Sequence, residues 1–344
     1  AADATYVDDV FSTFLYDGTG SAQTITNGID LSGEGGLVWI KSRSSTNDHN
    51  LTDTERGATK YLASSTTSAE ITNSETLTSF NSNGFTLGIN SIVNGSGKEI
   101  ASWTFRKAPG FFDVVTFTGT GSVQNISHSL GSVPGMIVVK KSSGTGPWHV
   151  YHRSLGANGI VYLSATHGNS VDNGVWNNTA PTSSVFTVGA DAGVNGNGAT
   201  YIAYVFAHDD QSFGTGSDEA IIKCDSYSGS SSEVEVNLGF EPQWLLFKCS
   251  STSSSWSIVD NMRGLSDQAT PRLRPNLSNA EQTTSPAAVK LTSTGFIVTN
   301  TDSDYNASGQ TFVYMAIRRP HKPPAAGTDV FKAIARAGTS SNVS

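Results

Sequence analysis

Three short apolar runs, each closing on a lysine, recur through this chain. They read Gly36-Leu37-Val38-Trp39-Ile40-Lys41, Gly135-Met136-Ile137-Val138-Val139-Lys140 and Gln243-Trp244-Leu245-Leu246-Phe247-Lys248. They stand roughly a hundred residues apart, and an ordered set of marks at a nearly fixed period is the signature of a modular array. Other marks keep step with them. Phe85, Phe186 and Phe296 follow at similar offsets, then the polar turns Asn94-Gly95-Ser96-Gly97, Asn195-Gly196-Asn197-Gly198 and Asn306-Ala307-Ser308-Gly309. Each turn leads into an apolar segment: Ile100 to Phe105, Tyr201 to Phe206, and Phe312 to Ile317. Breaks rich in Pro, Gly and charge divide the chain into modules at 1–109, 110–210 and 218–319. Residues 320–344 then read as a linker and the start of a further repeat, or an exchanged strand, with Val330 to Ala335 as its apolar part.

The local pattern within each module is that of strands. Period-two alternation recurs, as in Asp113-Val114-Val115-Thr116-Phe117-Thr118 and Glu233-Val234-Glu235-Val236-Asn237, whereas helical spacing occurs only in fragments. Short strands punctuated by Gly, Asn and Ser turns predict an all-β fold, and a module of this length suits one antiparallel sandwich. The expected architecture is therefore about three tandem β-sandwiches of jelly-roll or concanavalin-like type. Tandem sandwiches of this kind make extended, protease-resistant rods, and the sequence leaves open whether these modules form a straight rod or fold back on one another. Only 15% of residues are charged and the net charge is −8, a balance that disfavours nucleic acid, whose phosphates call for a basic face. No apolar run approaches the length of a membrane span, and Ala1-Ala2-Asp3-Ala4 lacks the basic and apolar regions of a secretory signal. Neither membrane insertion nor export by the general secretory route is expected.

Residues able to carry chemistry are sparse. Asp53 and Arg56 in the first module match Asp260 and Arg263 in the third, where the second has His152-Arg153-Ser154-Leu155-Gly156. An acid, an arginine and a histidine can bind a polar ligand. The plainer reading is an Asp–Arg pair closing a turn whose Gly has positive φ, since active sites are seldom repeated with their key residues changed. Trp148 and Trp256 hold equivalent places before a strand, which makes packing the default for both. Trp176 lies in the amide-rich segment Asn173 to Thr179, without a counterpart in the other modules. There an indole can stack on a sugar, anchor a protein contact or cap the core. Trp148, His152, Arg153 and Trp176 are the candidate ligand-binding residues. The segment Asn300 to Asn306 carries Asp302 and Asp304 but lacks the full acidic spacing of a calcium loop. Cys224 and Cys249 have no CxxC partner; they read as two buried free thiols, with a disulfide between them as the alternative if their strands adjoin. No nucleophile elbow, P-loop or HExxH is present. No catalytic residue, metal site or cofactor is expected.

Two stretches resemble a known module. Trp103 to Val115, followed by Asn125-Ile126-Ser127-His128-Ser129-Leu130-Gly131-Ser132-Val133-Pro134-Gly135-Met136-Ile137, resembles a repeat found in virion structural proteins of marine tailed phages, the cyanophage type in particular. Trp176 to Gly189 resembles it too, whereas the third module departs at Arg272-Leu273-Arg274-Pro275. The resemblance implies a concanavalin- or laminin-G-like sandwich built into a tail fibre, an appendage or a capsid decoration, and it transfers no catalytic residues. The expected role is thus non-enzymatic: a virion protein presenting surfaces to other virion proteins or to a host glycan, with trimeric association by analogy with fibres as a class. Two alternatives remain at this point. One is a carbohydrate-binding or glycan-degrading protein, for which Glu55, Asp53 and Asp260 are the available carboxylates. The other is a bacterial adhesin or filament subunit that donates an edge strand.

Overall fold

The computed structural model describes residues 4–300 and 302–324; the predicted strand from Val330 to Ala335 lies outside the described residues. The protein is all-β and its sheets are antiparallel. One four-stranded arrangement recurs three times. A first strand (Phe11–Asp17, Phe112–Thr118, Ile222–Ser228) pairs with the last (Glu99–Arg106, Thr200–Phe206, Thr311–Arg318). The last pairs in turn with the lysine-closing strand (Gly36–Ser42, Met136–Lys141, Pro242–Cys249), which forms a hairpin with Asn50–Asp53, Trp148–His152 or Ser257–Asp260. Because the first strand of each module pairs with its last, closing a module joins residues almost a module's length apart. A smaller sheet packs on one face of each, built on the pairs Gln23–Thr26 with Gly84–Leu87, Gln124–Ser127 with Val185–Val188, and Val234–Asn237 with Gly295–Val298. This is a β-sandwich in each case.

Alternation decides which residues serve that sandwich. In the first module Val38, Ile40 and Ile100 face Ile25, Phe85 and Leu87 of the small sheet. In the third, Leu245, Phe247 and Tyr314 face Val236, Phe296 and Val298. The residues between them point the other way and are equally buried. Leu37, Trp39, Trp103 and Phe105 of module 1 share one core with Met136, Val138, Tyr204 and Phe206 of module 2 and with Trp244, Leu246, Met315 and Ile317 of module 3. All three four-stranded sheets thus turn their second face to a common centre, where Phe11, Phe105, Phe111, Phe112, Phe206 and Trp244 meet as a chain of ring contacts 4.9–6.4 Å apart. Of the two arrangements the sequence left open, the modules fold back on one another, into a closed pseudo-threefold ring around this shared core. The cause is apolar area: a sheet with two apolar faces cannot leave one in water, and burying it contributes about 25 cal/mol per Å².

The same small devices secure each module. Asn94, Asn195 and Asn306 end a single helical turn and are buried. Asn195 Oδ1 accepts from Thr120 N and Gln124 Nε2 at 2.9 and 3.0 Å, and its Nδ2 donates to the carbonyls of Ser122 and Gly189, both at 2.6 Å. Asn94 makes the matching set with Thr19, Gln23, Ser21 and Gly88. A carboxamide offers two donors and two acceptor sites, so Asn satisfies four loop groups, of which Leu would leave all four unpaired and Asp the two carbonyls. The two cysteines are free and buried, Cys224 in the central core and Cys249 in the interior of module 3.

Candidate functional site

Polar residues that recur at equivalent positions converge on the three seams between modules. Toward the linker end of the ring, Asp53 is fully buried. Its Oδ1 accepts from Arg56 N at 2.9 Å and its Oδ2 from Arg56 Nε at 2.7 Å. Tyr204 of module 2 donates its hydroxyl to the same Oδ2 at 2.9 Å. At the seam between modules 3 and 1, Asp260 holds Arg263 in the same way and accepts Trp103 Nε1 at 3.0 Å. The Asp–Arg turn pairing expected from the sequence is present at both places, with Gly57 and Gly264 at φ +90 and +92. At the seam between modules 2 and 3 the equivalent residue is His152, whose Nε2 donates to Tyr314 O at 3.1 Å while Nδ1 accepts from Ser154 N at 3.3 Å. Burial pushes its pKa down to about 4, with the Tyr314 carbonyl offsetting part of that.

A second ring of contacts lies at the opposite end. Trp148 of module 2 donates Nε1 to Ala63 O and Thr66 O of module 1 at 3.2 and 3.1 Å. Trp256 of module 3 donates to Tyr162 O of module 2 at 2.8 Å. His49, the equivalent residue of module 1, donates Nε2 to Arg274 O of module 3 at 3.0 Å and accepts Trp39 Nε1 on Nδ1 at 2.9 Å. Around these, backbone bonds run from Glu70 N to Ser142 O, Asn169 N to Ser250 O, and Glu281 N to Arg43 O, at 2.9, 2.5 and 2.7 Å. Each module reaches the next in one rotational sense, so the seams close cyclically. The repeated lysines brace the adjoining loops from within. Lys41 and Lys140 each give Nζ to two carbonyls, and Lys248 to three, one of which is Thr166 O across a seam. Burial lowers all three to about 8.

The sequence candidates fall on this framework and not on one exposed face. Trp148 and His152 are seam residues, 0% and 1% accessible. Trp176, 2% accessible, packs edge-on against Tyr151 with 6.0 Å between centroids. Their readings as exposed ligand contacts are therefore corrected: Trp148 and His152 are buried against a neighbouring module, where their ring N–H groups meet its carbonyls, and Trp176 is buried against Tyr151. Arg153 alone is exposed, with its guanidinium 4.0 Å from Asp225. Asp302 and Asp304 take Arg272 and Arg274 at 2.7–3.0 Å, which explains why Arg272-Leu273-Arg274 departs from the other modules. Glu55 pairs with Lys107 at 2.8 Å.

Sequence reasoning missed His49, Tyr204, Trp103 and the lysines as seam and bracing residues. A signal was available. The lysine strands read as unbroken apolar runs, the mark of a sheet covered on both faces, and His49, Trp148 and Trp256 all stand eight positions after their lysine.

Compared with known families, residues 7–320 match the model of a family described as a domain of unknown function, DUF7483. The chain belongs to the DUF7483 family. The match begins at the helical turn Val7–Val10 and stops at Pro320, so it spans all three modules. No curated protein matches the sequence. Among solved structures, one titled "Crystal Structure of the STIV MCP" aligns over 60% of this chain and 95% of its own at 9% identity, with a TM-score of 0.19, a likeness too slight to carry an argument.

Proposed function

We propose that this chain is a non-enzymatic structural protein of a virion, a tail fibre, appendage or capsid-surface component that acts as a rigid presenting body. One observation carries the reading. The polar and aromatic residues that recur from module to module are spent on holding modules together or bracing their loops: Asp53 and Asp260 on Arg56 and Arg263, Trp148 and Trp256 on neighbouring carbonyls, the lysines on loop carbonyls. An enzyme reserves such groups for substrate. Here the carboxylates on which a glycosidase would depend, Glu55, Asp53 and Asp260, are already paired with Lys107, Arg56 and Arg263. The sequence resemblance to phage virion modules points the same way. Partners would be other virion proteins or a host glycan, each module adding a weak contact that many copies multiply, and association of several copies is part of the proposal.

The test is electron cryo-microscopy of intact particles labelled with an antibody against module 2. Label in regular array on a tail or capsid supports the reading and shows the outward surface. Particles without label, with label on cell surfaces or loose filaments, would overturn it in favour of an adhesin.

A further inference from the structure

We propose that module 1 carries a saccharide site, in which Arg106 and Glu34 hold neighbouring hydroxyls of one neutral sugar residue. The inference rests on the host-glycan part of the proposed function and gives that partner a place on the ring. Arg106 ends the last strand of module 1. It follows Phe105, which pairs with Phe11 at the start of the first strand. Ala207 and Arg318 hold the same place after Phe206 and Ile317 in modules 2 and 3. Glu34 stands three residues before Leu37, as Val133 and Glu241 stand before Met136 and Trp244.

Module 3 shows how such charges are satisfied within the ring. Arg318 pairs with Glu219 at 3.3 Å, and Arg319 with Glu241 at 3.1 Å. In module 1 both of the matching partners are drawn elsewhere. Asp8 precedes the first strand by three residues, as Glu219 does. Its Oδ2 is taken by His321 N and Lys322 N at 3.1 and 3.3 Å, where the two ends of the described chain meet. Lys107, the counterpart of Arg319, crosses the seam to Glu55 at 2.8 Å and Asp113 at 3.4 Å. The side chains of Arg106 and Glu34 are thereby left without a hydrogen bond or ion pair among the described residues, and Arg106 Nε is buried with no acceptor.

These two side chains line one cavity of about 260 Å³, together with Thr5, Ser212, Pro109 and Phe213. A guanidinium only donates and a carboxylate only accepts, so a ligand that meets both must accept at one point and donate at the next. Adjacent hydroxyls of a sugar do this. Thr5 and Ser212 add hydroxyls of their own, and Pro109 and Phe213 offer an apolar wall to the C–H face of a sugar ring. Because the charges of Arg106 and Glu34 cancel, the lining favours a neutral ligand over an acidic or a basic one.

The test is saturation-transfer NMR on the full chain with glucose, galactose, mannose and N-acetylglucosamine, each offered separately, and with glucuronate as an acidic probe. Transfer to at least one neutral sugar is expected. Arg106→Ala and Glu34→Val should each weaken it by about 10-fold or more, since each removes charge-assisted hydrogen bonds. Both variants copy module 2, which has Ala207 and Val133 at these places, and thermal melts check that they fold. If Arg106→Ala does not, Glu34→Val at the exposed rim decides alone. Arg319→Ala, which breaks the Glu241 pair of module 3, should leave binding unchanged. Sugar binding that neither module 1 variant weakens, or glucuronate bound more tightly than every neutral sugar, would overturn the site while leaving a glycan partner in place. Transfer to none of the neutral sugars would also overturn it, and the virion role would then be judged separately by the antibody label.

Discussion

Replacing Asp53 with alanine tests whether the seams are what hold the ring. The carboxylate is fully buried and accepts three hydrogen bonds, from Arg56 N, Arg56 Nε and Tyr204 OH. Its removal leaves the Arg56 guanidinium, 4% exposed, with the Leu51 carbonyl at 2.8 Å, the Tyr204 hydroxyl at 3.3 Å and Glu70 at 3.5 Å as its nearest acceptors. An uncompensated buried charge costs about 3–5 kcal/mol. Tyr204→Phe removes the hydrogen bond to the charged Asp53 acceptor and the weaker one accepted from Arg56 Nη2, about 1.5–3 kcal/mol. The two changes share an interaction, so the double variant should fall short of the sum of the singles by about 1–2 kcal/mol. Urea unfolding followed by tryptophan emission measures all four corners of the cycle, provided the wild type and variants keep one slope. Strict additivity, or an Asp53→Ala cost under about 1 kcal/mol, would mean that this cross-module bond carries no weight and that apolar contact alone closes the ring.

Other substitutions separate the remaining devices. Lys248→Met should destabilise by about 2–4 kcal/mol and more than Lys140→Met, since three carbonyls lose their donor in one case and two in the other; thermal melts of the two variants side by side check the order. Asn195→Ala strands four loop groups and should cost about 2–4 kcal/mol, visible as a lower urea midpoint; Asn195→Asp should recover little, because its oxygens repel the Ser122 and Gly189 carbonyls. Gly135→Ala drives a Cβ to 2.7 Å from both Cys224 and His208 and should cost about 1–3 kcal/mol. In that variant Cys224 should react faster with 4,4′-dithiodipyridine at neutral pH, whereas a rate equal to wild type would show that the seam absorbs a methyl.

DUF7483 membership and the fold together mean that the three modules work as one object. Each module's second apolar face finds cover only in the other two, so a single excised module would expose Leu37 and Trp39, or Trp244 and Leu246, to water. That is the reason the symmetry sits within one chain at seams of unequal chemistry, something identical subunits could not provide.

Much of this was legible in the residue order. The repeated lysine runs, the alternating segments and the Asn–Gly turns determined an all-β chain of recurring sandwiches, because strand periodicity and turn chemistry are local and are written in consecutive residues. The pairing of Asp with Arg across a turn was legible for the same reason. Rod versus ring was not, nor was the burial of Trp148, His152 and Trp176. Whether an indole stacks on a ligand or donates to Ala63 O depends on a contact made from a different module, between residues whose separation leaves no periodic trace. The tertiary structure alone decided that contact, through the requirement that three sheets, each apolar on both sides, hide their second face from water.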